Sequence, residues 1–184
     1  MVIDADEVAI VLLAAGRSRR FGAAKLDAPL HGQALGLHAA QFYAGFGFAQ
    51  HLVVKGQGGP DYAALGYTII TNPAPAQGQA SSLRLGMGAV RAKACLIALA
   101  DMPFVTRAHI TALLDGFDGD RIASSLDGRT MPPALFGAQH FATLMALEGD
   151  QGARLLLRGA RAIAGDAKCL ADIDHPGDLT HWQV

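Results

Sequence analysis

Two stretches of the chain are apolar at every position. Val8–Ala14 reads VAIVLLA, and Ala94–Ala100 reads ACLIALA. A strand that alternates apolar and polar residues buries one face, whereas a continuously apolar strand is buried on both faces. The pattern therefore predicts two central strands of a sheet that is covered on both sides.

The remaining apolar segments are shorter, and their spacing switches between strand-like and helical. Further strands are predicted at His51–Lys55, Tyr67–Thr71, Arg121–Ser125 and Pro133–Phe136. Helices are predicted at Ala34–Phe46, Ser81–Arg91, Thr106–Phe117 and Ala138–Glu148, with a helical turn at Asp61–Leu65 and a loop at Asn72–Gln79. Thr106 is placed to act as the N-cap of its helix. Alternating strands and helices predict an α/β fold, a Rossmann-like three-layer sandwich with a mostly parallel sheet.

Length and composition are those of one globular domain, which we expect to span residues 1–184. Of the 184 residues, 51% are hydrophobic and 17% are charged, which excludes a disordered chain. The formal net charge of −1 excludes a global field that would attract nucleic acid or an anionic membrane. Any site for an anion must therefore be local.

The cysteines, histidines and N-terminus exclude several other classes of protein. Cys95 and Cys169 lie far apart and form no CxxC motif, so we expect reduced thiols. The seven histidines are scattered without a zinc-ligand spacing. The N-terminal residues are acidic where a signal peptide would be basic, and no apolar run reaches the ~18 residues of a membrane span. A cytoplasmic protein is expected.

A basic, glycine-containing loop follows the first predicted strand. Residues 12–25 read LLAAGRSRRFGAAK and carry four basic side chains. The loop satisfies neither GxxxxGK[ST] nor GxGxxG, but it meets similar physical needs. Ala14, Ala15 and Gly16 let a ligand approach the backbone, while Arg20 and Lys25 supply positive charge. We expect a phosphate-bearing ligand here, and the alternative is a solvated basic loop.

A polar residue, Asp101, directly follows the second buried strand, just as the basic loop follows the first. In open α/β sheets, ligands bind at the carboxyl ends of the strands, beside the point where the strand order reverses. The loop and Asp101 both lie at such ends, so we expect them to share one crevice.

Several motifs, in order along nearly the whole chain, resemble one enzyme family. The pattern LAAGxSxRxGxxK resembles the signature of the nucleotidyltransferases, here with Ser18, Arg20, Gly22 and Lys25. Four later segments are similar to the molybdenum cofactor cytidylyltransferases, within the MobA-like nucleotidyltransferase superfamily. They are PAQGQASSLRLGM (75–87), ALADMPFVT (98–106), PPALFGAQHFATLMALEGDQGARLLLR (132–158) and ADIDHPGDL (171–179). The stretch GDQGARLLL is the most specific of them.

The resemblance implies a nucleotide site. It places Arg20 and Lys25 on the triphosphate, and the backbone from Leu13 through Ala14 and Ala15 to Gly16 near the base. It also places Gly78 and Ser82 beside the pyrimidine. For Ser82 the alternative is a helix N-cap, because SSL opens a helical pattern.

The resemblance also implies a Mg²⁺ site. Asp101 would coordinate the ion, with Asp150 of the GDQGAR segment as a second carboxylate. The alternative for Asp101 is a turn cap before Met102-Pro103, and the alternative for Asp150 is a helix N-cap. Asp172 and Asp174 are expected to organise the turn before Pro176 rather than to bind metal.

The activity implied is transfer of CMP from CTP to the phosphate of a molybdopterin-type pterin, with release of pyrophosphate. Catalysis would rest on Lys25, Arg20 and Asp101, because an acceptor phosphate needs no protein nucleophile. A molybdenum hydroxylase or its chaperone is the implied protein partner. The alternatives are a guanylyltransferase on the same pterin, a sugar- or alcohol-phosphate nucleotidyltransferase, and a non-catalytic carrier of the cofactor.

Overall fold

The computed structural model describes residues 3–16, 21, 24–149 and 156–182, and all structural statements below concern these residues. The strands are β1 Val8–Ala14, β2 Pro29–Leu30, β3 Gln33–Ala34, β4 Gln50–Lys55, β5 Thr68–Thr71, β6 Ala94–Leu99, β7 Arg121–Leu126, β8 Arg129–Gly137 and β9 Arg161–Ala164. The α-helices are α1 Leu35–Ala44, α2 Gln79–Ala89, α3 Arg107–Gly116, α4 Phe141–Met145 and α5 Pro176–Trp182.

Seven strands form the central sheet, in the order β5-β4-β1-β6-β8-β7-β9. Strand β1 pairs in parallel with both β4 and β6. Only β8 runs against its neighbours β6 and β7 in the described sheet, and β2 and β3 form a separate small hairpin. The chain moves from β1 outward to β4 and β5 and then returns to β6 on the other side of β1. The strand order thus reverses at β1, which confirms the predicted mostly parallel α/β fold.

Helices cover both faces of the sheet, as the continuously apolar strands require. Ile10 and Leu12 of β1 pack on one face with residues of α1 and α3. Val11 and Leu13 pack on the other face with residues of α2 and α4. Because successive residues of a strand point to opposite faces, β1 must be apolar throughout to serve both layers. Within the described ranges, no helix is both long and apolar enough to cross a membrane.

The largest differences from the predicted elements lie in the segment from residue 129 to residue 148. The segment predicted as one helix, Ala138–Glu148, is a 3₁₀ turn at Ala138–His140 followed by the short helix α4. Gln139 donates a hydrogen bond to the Gly119 carbonyl, and His140 pairs with the Asp120 carboxylate, which ties this turn to the preceding loop. Strand β8 is longer than predicted, because it forms a hairpin with β7 that continues past its apolar residues.

The structure shows which residues cap the starts of α3 and α2. The Thr106 hydroxyl accepts a hydrogen bond from the His109 backbone N–H at 3.3 Å, which confirms the N-cap of α3. Helix α2 begins at Gln79, two residues before the predicted start, with Gly78 as its N-cap. The N-cap alternative for Ser82 is therefore wrong, because Ser82 lies inside the first turn of the helix.

Close packing of α2 on the sheet depends on Gly86. A Cβ at this position would lie 2.6 Å from Val11 Cγ1 and 2.9 Å from Val54 Cγ2, both on buried strands. A Cβ added to Gly88, in the same helix, would meet nothing within 4 Å. Gly86 thus sets how near α2 lies to β1 and β4.

We expect Gly86→Ala to destabilise the protein by about 1–3 kcal/mol, because the methyl group overpacks a rigid contact. Gly88→Ala is the matched control and should stabilise by about 0.5–1 kcal/mol, since alanine is the better helix former. Urea unfolding of the two variants measures both effects. Equal effects from the two substitutions would contradict the close approach.

Candidate active site

A cavity of about 340 Å³ lies at the carboxyl ends of β1 and β6, where the strand order reverses. This volume is within the range of small-molecule sites. The cavity brings together most of the residues singled out from the sequence: Leu13, Ala14, Ala15, Gly16, Lys25, Gly78, Ser82 and Asp101. A second cavity of about 360 Å³ adjoins it on the β4 side and shares the Ala14–Gly16 backbone and Lys25. The shared crevice expected for the loop and Asp101 is therefore present.

Two predicted site residues, Arg20 and Asp150, lie outside the described residues. Their expected roles on the phosphates and the metal stay predictions.

The central feature of the cavity is an ion-pair cluster. The Lys25 ammonium lies 2.7 Å from Asp101 Oδ2 and 3.1 Å from Asp174 Oδ1. The Lys25 side chain is 10% exposed and that of Asp101 is 21% exposed, so both are only partly screened by water. A 3₁₀ turn at Lys25–Asp27 sets the lysine across from the end of β6, where Asp101 follows the strand. One cation thus sits between two carboxylates from distant parts of the chain.

Burial and charge act in opposite directions on the Lys25 ammonium. Burial disfavours the charged form, but Asp101 and Asp174 together outweigh it, so the pKa of Lys25 is raised above its ordinary value. Nearby, burial raises the pKa of Asp172, and the carboxylates of Asp174 and Asp101 add to that rise. Lys25 is therefore a fixed positive charge at neutral pH, in a cavity edged by carboxylates.

One oxygen of this cluster has no partner within the described chain. Asp101 Oδ1 is buried and accepts no hydrogen bond there. A buried carboxylate oxygen without a donor is costly, and a hard divalent cation would satisfy it. No group of three or more histidine, cysteine or acidic side chains that could hold a metal occurs among the described residues. Asp101 therefore fits a cation of the Mg²⁺ type that takes its other ligands from water and phosphate oxygens.

The opposite wall of the cavity is formed by the start of α2. Gly78, its N-cap, has φ +91° and ψ 175°, a conformation that is essentially restricted to glycine. Ser82 lies in the first turn, is 4% exposed, and lines the cavity. A flat ring could thus approach backbone and a hydroxyl on this side without meeting a bulky side chain.

The C-terminal segment is organised differently from the sequence-based expectation. The Asp178 carboxylate accepts hydrogen bonds from the backbone N–H groups of Asp174 and His175, at 2.9 and 2.8 Å. Asp178, rather than Asp172 or Asp174, therefore holds the turn before Pro176. The Asp174 side chain instead reaches Lys25 in the cavity.

Comparison with known proteins shows which family this chain belongs to. The family model of the MobA-like NTP transferase domain matches residues 10–166. The chain belongs to the family of MobA-like NTP transferase domains. This MobA-like chain is 31% identical over 189 residues to the purine catabolism protein PucB of Bacillus subtilis (strain 168), covering 90% of this chain and 91% of PucB.

Solved structures share the fold of this MobA-like protein. Rv0371c from Mycobacterium tuberculosis H37Rv, in complex with manganese, matches with a TM-score of 0.74 and 23% identity over 96% of this chain and 97% of that one. The 2-C-methyl-D-erythritol 4-phosphate cytidylyltransferase from Thermus thermophilus matches with a TM-score of 0.69 and 19% identity, over 94% of this chain and 96% of that one. The family assignment makes this MobA-like protein a nucleotidyltransferase.

Sequence reasoning missed two residues of this site. Asn72 is 1% exposed and holds the start of α2, and it directly follows β5. The rule that singled out Asp101, a polar residue at the carboxyl end of a strand, would also have found Asn72. Asp174 and Lys25 lie 149 positions apart in the sequence, and no local sequence pattern predicts their contact.

Proposed function

We propose that the protein, as a single nucleotidyltransferase domain over residues 1–184, transfers CMP from CTP to the phosphate of a molybdopterin-type pterin and releases pyrophosphate. The observation that carries the proposal is the cavity at the β1–β6 strand ends. It combines a small-residue backbone at Ala14–Gly16 with the Lys25 cation and the unpartnered oxygen of Asp101. The motif GDQGARLLL, which resembles the molybdenum cofactor cytidylyltransferases, supports the pterin acceptor.

The reaction needs positioning and charge neutralisation rather than a protein nucleophile. The acceptor phosphate is itself a nucleophile near neutral pH, and it attacks the α-phosphorus as pyrophosphate leaves. Lys25 binds the phosphates and stabilises the negative charge that develops on them, together with Arg20. Ala14, Ala15, Gly16, Gly78 and Ser82 hold the nucleoside against the backbone.

Asp101, with Asp150 as the proposed second carboxylate, would hold a Mg²⁺ ion. When bound, such an ion offsets the repulsion between two anionic phosphates and polarises the reacting phosphoryl group. The manganese in the structure of Rv0371c supports a divalent cation in a protein of this fold. Because Lys25 contacts Asp101 at 2.7 Å, we expect this lysine to turn towards the phosphates when cation and nucleotide bind.

The proposal is tested by one set of incubations. The protein is mixed with Mg²⁺, with molybdopterin supplied either with or without molybdate, and with CTP, GTP, ATP or UTP separately. Dinucleotide product and pyrophosphate are both measured. Cytosine dinucleotide and pyrophosphate are expected with CTP. Product with GTP alone would identify a guanylyltransferase. Absence of pyrophosphate with every nucleotide would contradict transfer to this pterin and leave a carrier or a nucleotidyltransferase for another phosphate acceptor.

The base preference gives a further prediction, centred on Ala15. Ala15 lines both cavities, and a glycine at this position would leave more space beside the backbone. We expect a higher kcat/KM with CTP than with GTP, and we expect Ala15→Gly to raise kcat/KM for GTP because a purine needs more room. Steady-state pyrophosphate release measures both. Equal or faster use of GTP by the unaltered protein would contradict the cytidine assignment.

A further inference from the structure

Asn72 occupies a buried position between the end of β5 and the first turn of α2. It is 1% exposed, and its backbone N–H donates to the carbonyl of Lys55 at 2.8 Å. Its side chain makes three hydrogen bonds to other described residues. Two join it to hydroxyls of α2, those of Ser81 and Ser82, and the third joins it to the backbone of Ala74.

The orientation of the Asn72 amide follows from its partners. The Ala74 backbone N–H can only donate, so the atom 2.9 Å from it must be the amide oxygen, Oδ1. The amide nitrogen, Nδ2, therefore faces the two serines, 2.9 Å from each hydroxyl oxygen. Because Nδ2 carries two protons and accepts none, both serine oxygens act as acceptors towards Asn72.

The two serines differ in where their own protons go. The Ser81 hydroxyl donates to the Gly78 carbonyl at 2.8 Å, within the turn that starts α2. The Ser82 hydroxyl has no acceptor for its proton within the described chain. Ser82 lines the 340 Å³ cavity, whereas Ser81 does not. The Ser82 proton is therefore available to a ligand in that cavity.

We propose that Asn72 is a positioning residue that makes Ser82 an obligate hydrogen-bond donor to the bound nucleobase. The base atom opposite Ser82 is then an acceptor, either a carbonyl oxygen or an unprotonated ring nitrogen, as on the O2–N3 edge of cytosine. This inference rests on the proposed function, because it assumes that the cavity holds a nucleotide. It gives Asn72 a role in recognition although Asn72 does not touch the base.

The experiment reverses the polarity of this hydrogen bond with Asn72→Asp. An ionised carboxylate at this position accepts from both serines, so Ser82 would present a lone pair to the base instead of a proton. The Kd for CTP in the presence of Mg²⁺ is measured by calorimetry at pH 8, with kcat and KM from pyrophosphate release. We expect Asn72→Asp to raise Kd and KM about tenfold or more, since one hydrogen bond is lost and two acceptors face each other. At saturating CTP, kcat should stay within about twofold.

Ser82→Ala and Ser81→Ala form a matched pair, since each removes one hydroxyl that contacts Asn72. Ser82→Ala should raise the Kd for CTP about tenfold, and Ser81→Ala should change it less than about twofold. Adding Asn72→Asp to Ser82→Ala should change Kd less than about twofold further. The Ser82 hydroxyl, through which residue 72 acts on the base, is then already absent. If Asn72→Asp does not fold, the two serine variants decide alone, and equal effects from them overturn the inference.

The remaining outcomes separate the inference from the proposed function. Unaltered protein that binds none of CTP, GTP, ATP and UTP would contradict both. Normal CTP binding by the unaltered protein and by a folded Asn72→Asp variant would overturn the inference alone. A full additive effect of Asn72→Asp on top of Ser82→Ala would also overturn it, since Asn72 would then act independently of Ser82.

Discussion

Replacing Asp101 with asparagine is expected to remove at least about 99.9% of metal-dependent pyrophosphate release while the fold remains intact. A thousandfold loss corresponds to about 4 kcal/mol of transition-state stabilisation. Asparagine keeps the size of the side chain but gives up the negative charge that binds a hard cation. Its amide oxygen would turn towards Lys25, which leaves the NH₂ group at the position of the unpartnered Oδ1. A donor there repels a cation.

The measurement is pyrophosphate release across a series of Mg²⁺ concentrations, with thermal unfolding as the check of the fold. Raising Mg²⁺ should rescue Asp101→Asn only in part. Asp27→Asn is the control, because Asp27 lines the adjoining cavity and not the one that holds Asp101. It should change the rate less than about twofold. An Asp101→Asn variant with normal metal-dependent turnover would mean that Asp101 serves only as an ion-pair partner of Lys25.

Removing the Lys25 charge is expected to lower kcat/KM for CTP by about tenfold to a thousandfold, with part of the loss in kcat. The charge matters most in the transition state, where negative charge shifts onto the leaving pyrophosphate. Lys25→Met is the cleaner substitution, since it keeps the buried stem, and Lys25→Ala removes both stem and charge. Both variants should also lose some thermal stability, because Asp101 and Asp174 are left facing each other without the cation between them.

Steady-state kinetics of the two variants are compared with those of Lys93→Met. Lys93 also pairs with a carboxylate, that of Glu7, but on the surface and away from the cavity. Its substitution should leave kcat/KM within about twofold. Lys25→Met with an unchanged rate and an intact fold would mean that Lys25 serves only to pair Asp101 with Asp174 and has no role on the phosphates.

The parts of the fold that the sequence predicts well are those encoded in a local pattern. Strand β1 coincides with the predicted segment Val8–Ala14, because burial on both faces demands an apolar side chain at every position. The place of the cavity follows from the same pattern, since polar residues directly after buried strands meet at one edge of the sheet. Asp101 could be singled out for this reason, and Lys25 because it belongs to the basic loop that follows β1.

The parts that the sequence does not predict depend on contacts between distant segments. The antiparallel direction of β8 is one example, because an apolar run does not indicate whether the neighbouring strands are parallel or antiparallel to it. The ion pair between Lys25 and Asp174 is another, since the aspartate lies in a motif that reads locally as a turn. Asn72 sits between these cases, because its position was predictable and its hydrogen bonds to α2 were not.

The pairing of Lys25 with Asp174 has a consequence for the order in which the site can be built during translation. Lys25 and β1 leave the ribosome early, whereas Asp174 follows 149 positions later. In the same late segment, the backbone N–H of Ile173 donates a hydrogen bond to the carbonyl of Asp101 at 3.0 Å. The Ile173 side chain is fully buried against Leu30 and Leu35. A nascent chain that already carries the whole of the basic loop therefore still lacks the Asp174 carboxylate that pairs with its lysine. The arrangement of charge in the cavity is completed only when synthesis has passed residue 174.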